Sequence, residues 1–139
     1  MLLLIIIASL ALAVGATVFT HAGKAITTNL VTVLGGTAPK YVGWGTGAGT
    51  AAVGDTTLFT ESADETRATG TITRVTTSQA NDTVQVVGTM TCAVSGKTIT
   101  NVGLFDAVSA GNLYMKSDFT GLALLVGDSI QFTLKVQYT

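Results

Sequence analysis

Histidine, cysteine and proline each occur once in this chain, as His21, Cys92 and Pro39. The scarcity of the first two removes whole classes of chemistry. One histidine cannot build a multi-histidine metal centre. It also leaves a serine-type triad a single candidate base, with no Gly-x-Ser-x-Gly elbow to accompany it. One cysteine forms neither an intrachain disulfide nor a thiolate cluster. Charge is scarce as well: 11% of residues are Asp, Glu, Lys or Arg, and the formal net charge is -1. That balance supplies no basic surface for nucleic acid or for an anionic membrane. Aromatic residues make up 6% and fall mostly at inward-facing strand positions, which argues against the exposed aromatic platform of a sugar-binding face.

What remains is apolar and β-forming. The chain has 139 residues, enough for one domain with a real core, and 47% of them are hydrophobic. Threonine and valine suit pleated surfaces, so the composition leans to an all-β protein. Low charge on a small domain also points to a surface covered by assembly.

The first nineteen residues, MLLLIIIASLALAVGATVF, carry no charge, and the first basic residue is Lys24. Ala11-Leu12-Ala13 has the small residues of a cleavage site, but no positive segment precedes the apolar run as a secretory signal requires. The length would cross a bilayer as a helix, and Lys24 would then place the β region in the cytoplasm. The preferred reading is an apolar arm over residues 1–17, buried against its own or a neighbouring subunit. A membrane helix ranks second and a retained signal-like sequence third. Residues 18–139 are read as a single β-sandwich domain.

A short helix is expected over about residues 22–34, capped by Thr20, with Ile26, Leu30, Val33 and Leu34 on one face and Gly35-Gly36 ending it. Strands are expected from residue 40 onward, entered at Pro39. Thr66–Thr77 reads as one long strand, with Arg67 and Arg74 facing solvent or a partner. Thr83–Val94 alternates most strictly: Val84, Val86, Gly88, Met90, Cys92 and Val94 share one face, as a half-buried antiparallel strand requires. Thr98–Phe105, Leu113–Phe119 and Asp128–Tyr138 follow, with Gly121–Gly127 as a bridge. Short strands at this spacing predict an antiparallel β-sandwich, jelly-roll-like in wiring.

Lys40–Thr57, KYVGWGTGAGTAAVGDTT, is the stretch that invites a ligand. Gly43, Gly45, Gly47 and Gly49 around Trp44 read as loop rather than strand interior. The spacing is not a dinucleotide fingerprint, no Gly-Lys-Ser/Thr follows, and no helix opens after it, so phosphate binding is set aside. Trp44 is expected to plug an end of the sandwich or a subunit contact. His21 reads as a capping or interface residue, and Cys92 as a small buried hydrophobe. Glu61, Asp64 and Glu65 lack the spacing of a calcium loop and read as a solvated loop tip. No catalytic, cofactor-binding or metal residue is assigned, and the chain is read as a non-enzyme.

Four segments in order resemble a family of small tailed-bacteriophage virion proteins. Phe19–Leu30, FTHAGKAITTNL, carries T-x-A-G-K-A, and Lys40–Thr57 carries Y-[IV]-G-[WI]-G-T-G. Ile99–Ala107, ITNVGLFDA, and Gly127–Thr133, GDSIQFT, complete the set. The resemblance covers about residues 16–139 and leaves out Met1–Gly15. It implies a capsid decoration (cement) protein on the outer surface of the virion head, often a jelly roll. The implied partners are the major capsid protein and itself, as homodimer or homotrimer, without nucleic acid or membrane. It brings no catalytic motif and no cofactor. The alternatives are a tail-fibre or receptor-binding module, and a membrane-anchored or pilus-like surface protein using residues 1–19 as a helix.

Overall fold

The alternation along Thr83–Thr91 becomes the centre of one of two packed antiparallel sheets. The computed structural model describes residues 14–31 and 35–138. Its elements are β1 (Val14–Phe19), α1 (His21–Val31), β2 (Tyr41–Gly45), β3 (Ala68–Thr69), β4 (Thr71–Val75), β5 (Thr83–Thr91), β6 (Lys97–Phe105), β7 (Leu113–Leu124) and β8 (Ser129–Gln137). One sheet has the order β1-β7-β6-β2-β3 and the other β4-β5-β8. Val86, Gly88 and Met90 of β5 stand opposite Leu134, Phe132 and Ile130 of β8. Val86, Met90 and Cys92 join Val42, Trp44, Ile99, Val102 and Leu104 in one buried cluster that both sheets share. Val94, read as an inward residue, is 64% exposed. The strand has ended by then: Cys92 exchanges backbone bonds with Gly127 and Asp128, which turns the chain.

The strand expected over Thr66–Thr77 is broken in two. β3 lies at the edge of the larger sheet and β4 at the edge of the smaller, with Gly70 between them. The Gly70 N–H donates to the Lys40 carbonyl at 2.7 Å. A Cβ at Gly70 would stand 2.6 Å from Val86 Cγ1, so the chain changes sheets where only a bare backbone fits. β7 is longer than its sequence implies: it runs past Phe119 to Leu124, and the bridge to β8 shrinks accordingly.

The N-terminal side also differs from expectation. Val14–Phe19 pairs antiparallel with β7, so strands begin before residue 40 and residues 14–17 of the supposed arm lie in the sheet. The rest of that arm, residues 1–13, is outside the described residues. Thr20 caps α1 as expected, its Oγ1 accepting the Gly23 N–H at 3.0 Å. The same hydroxyl donates to the Leu113 carbonyl and ties the cap to β7. Only the first turns of the apolar stripe are seen: Ile26 is buried, Leu30 is exposed, and Val33 and Leu34 lie outside the described residues.

The largest difference is at the glycines. Gly43 and Gly45 are not loop; they sit inside β2, paired with Gly103 and Asn101 of β6. A Cβ on Gly45 would collide with the Phe59 carbonyl and meet the Asn101 amide at 2.8 Å. The missing side chains therefore make room for residues 57–61, which fold back over this sheet. Trp44 between them is 1% exposed and points into the shared core, edge-on to Phe132 at 6.3 Å. It is neither an end plug nor a subunit contact. Gly45→Ala is expected to cost about 1–3 kcal/mol through overpacking. Gly54→Ala, with open space around it, should stay within about 0.5 kcal/mol. Urea midpoints compare the two directly, and equal midpoints would refute the close approach.

Candidate functional site

The densest polar constellation grows from the loop between β2 and β3. Residues 46–47 pair with 59–60 through Thr46 N–H to Thr60 O at 3.0 Å and Gly47 N–H to Phe59 O at 2.9 Å. Asn101 of β6, fully buried, clamps this fold-back: its Oδ1 accepts the Phe59 N–H at 3.1 Å, and its Nδ2 donates to Gly47 O and Phe59 O. The Ser62 N–H then bonds Trp44 O, which sets the acidic segment beside the core.

Glu65 is the hub. Its side chain is 5% exposed and accepts from Lys97 Nζ at 2.7 and 2.8 Å. It also accepts from Ser62 Oγ at 2.7 Å, Trp44 Nε1 at 3.1 Å and the Ala93 N–H at 3.2 Å. Burial pushes its pKa up, but Lys97, Ser62, Trp44 and Ala93 outweigh it and hold the carboxyl at about 2. Burial likewise pulls Lys97 down, and Glu65 with Asp64 reverses this and raises it. Both partners therefore stay ionised through the neutral range, and neither is poised to exchange a proton. Asp64, 2.9 Å from Lys97, is the most open member.

Arg67 forms a second clamp rather than facing solvent. Its Nε and Nη2 bond Glu61 at 2.6 and 2.8 Å, and Nη1 donates to Ala107 O and Ala110 O. The guanidinium lies 3.3 Å above the Phe105 ring, a bidentate and stacked geometry that lysine does not reproduce. The recess beside it, about 370 Å³, is lined by Glu61, Glu65, Arg67 and Val108 among others; Glu61 and Arg67 are engaged with each other and Glu65 with Lys97. The supposed loop tip is thus a pair of internal staples. Arg74 remains exposed on β4.

Lys116 on β7 was not singled out in the sequence, yet it is 1% exposed. Its Nζ donates to Asp55 Oδ2 at 2.9 Å and Thr57 O at 3.0 Å and sits 3.0 Å over the Phe59 ring. At Asp55, burial raises the pKa, while the Ala52 N–H and Lys116 outweigh it and lower it. A basic residue alternating within an apolar strand is the one signal that could have marked it. His21 occupies the first position of α1 with its side chain exposed. Cys92 is fully buried, its Sγ donating to Ser95 O at 3.0 Å.

Among the described residues, no group of three or more His, Cys, Asp or Glu side chains is placed to hold a metal ion. No helix among them is long and apolar enough to cross a membrane. Comparison of the chain with protein-family models, with curated proteins and with solved structures finds no match.

Proposed function

We propose that this chain is a non-enzymatic structural protein of a tailed-bacteriophage virion: a cement protein on the outer surface of the head, clamping neighbouring major capsid subunits. The carrying observation is the ordered set of four motifs, from the T-x-A-G-K-A segment at Thr20 to GDSIQFT at Gly127. What supports the reading is where their residues go. Thr20 ties the helix to β7, Trp44 fills the core, Asn101 clamps the fold-back, and Phe132 packs on Trp44. The motifs are spent on packing and not on chemistry, which suits a protein whose task is contact. The proposal includes self-association as a dimer or trimer and a jelly-roll-like wiring of the two sheets. Many moderate contacts across a lattice resist internal pressure by avidity.

Against the anchored alternative, which takes residues 1–19 as one helix, Val14–Phe19 are strand. Quantified protein bands from purified virions test the cement reading. The expected stoichiometry is comparable to that of the major capsid protein. A few copies per particle would overturn it in favour of the tail-fibre or receptor-binding module.

A further inference from the structure

The fold-back between β2 and β3 carries a tip, residues 48–57, with no strand or helix of its own. Within it Ala51 is buried, Asp55 is half-buried and the others are exposed. The tip is closed on itself. The Asp55 N–H donates to Ala52 O at 3.0 Å, and Asp55 Oδ2 accepts the Ala52 N–H at the same distance. The chain at its base is fixed to the sheet by different means: Asn101 clamps Gly47 and Phe59, and Leu58 is buried with Phe105 and Leu113.

What fastens the tip itself to the body is polar, and it comes from two elements. From β7, Lys116 Nζ reaches Asp55 Oδ2 at 2.9 Å and Thr57 O at 3.0 Å. Two residues on, Asp118 Oδ1 accepts the Ala51 N–H at 2.9 Å. From α1, the His21 N–H donates to Val53 O at 3.0 Å. The Lys116 side chain is 1% exposed and that of Asp55 23%, so the ammonium lies beneath the tip and the carboxylate at its rim.

We propose that residues 48–57 are a hinged strap that opens as a unit while both sheets stay folded, with the Asp55–Lys116 pair as its latch. Opening delivers both partners of the latch to water, so neither is left buried without the other. It also uncovers little apolar surface, since Ala51 is the one buried residue of the tip. A small change in exposed surface is what separates local opening from global unfolding. The open strap presents the Lys116 ammonium and the first N–H of α1, donors that the closed strap satisfies with its own oxygens. The protein thus holds a second surface in reserve above the larger sheet, and the inference does not depend on the virion assignment.

Hydrogen exchange on the full-length chain tests it. The amides of Ala51 and His21 report opening, because their bonds cross from strap to body. The ladder amides of β5 report global unfolding. In the unsubstituted protein the two strap reporters should exchange faster than β5, with little dependence on urea below the unfolding transition. A urea slope equal to that of β5 would overturn the proposal. Val86→Ala then separates the two processes. Val86 is fully buried between the sheets, and its burial is the same whether the strap is open or shut. That substitution should speed β5 exchange by about tenfold or more and leave Ala51 and His21 unchanged. Equal acceleration at all of them would mean that the strap opens only when the whole fold does. Asp55→Asn tests the latch, since it keeps an acceptor for the Ala52 N–H and removes the charge facing Lys116. It should speed exchange at Ala51 and His21 by about tenfold, as expected for a hydrogen bond to a charged group. Unchanged rates at both would refute the latch.

Discussion

Lys97→Ala is expected to destabilise the fold by about 3–5 kcal/mol, the loss seen when one partner of a buried ion pair is removed. The magnitude follows from burial: the Lys97 and Glu65 side chains are 8% and 5% exposed, so water does not replace the missing ammonium. An exposed pair would lose only about 0–1 kcal/mol. Adding Glu65→Gln should recover part of the loss, because the carboxamide no longer strands a charge while Ser62 and Trp44 still have an acceptor. Urea unfolding of the two single variants and the double variant closes the cycle. A single-variant loss below about 1 kcal/mol would put the pair among surface contacts.

The same pair gives a pH dependence with a definite sign. Glu65 has its pKa lowered in the fold, from 4.5 to about 2. Its contribution is therefore complete above the unfolded value and is lost as pH falls from about 4.5 towards 2. Lys97 is raised, so its share is present below 10.5 and is lost only as pH rises beyond that. Stability of the wild-type chain should fall between those acid limits more steeply than that of Glu65→Gln.

Trp44→Ala should cost about 3–5 kcal/mol in the isolated protein, the cost of a large aromatic removed from a core. Three losses combine there: the ring volume between the sheets, the edge contact with Phe132, and the indole N–H on Glu65. Trp44→Phe keeps most of the volume and should cost clearly less. If instead Trp44→Ala left the isolated chain at wild-type stability and weakened only its assembly, the residue would belong to a subunit contact and the core placement would be refuted. Denaturant midpoints at two protein concentrations separate the cases, since an assembly contribution depends on concentration.

Much of the fold was legible because strand alternation is a local record of one-sided burial. Val86, Met90 and Cys92 face the core at the positions their period assigns, and β8 mirrors them across its register. The helix start was equally readable, since a threonine cap acts on the N–H three residues on. The break at Gly70, the burial of Arg67 and Lys116, and the hub at Glu65 were not. Glu65 meets Lys97, Lys116 meets Asp55 and Asn101 meets Phe59 across long stretches of chain, and no spacing rule connects residues that only folding brings together. Charge in a sequence reads as solvent by default, and it takes the partner's position to show a buried staple.

The sequence by itself determined the class of this protein, a small low-charge antiparallel β domain with a capped helix, because those features are written in periods of two and in neighbours along the chain. Tertiary structure alone decided what the glycines around Trp44 are for. A glycine states only that a side chain is missing. Whether that leaves a loose loop or a strand over which residues 57–61 pass at contact distance depends on what occupies the vacated space.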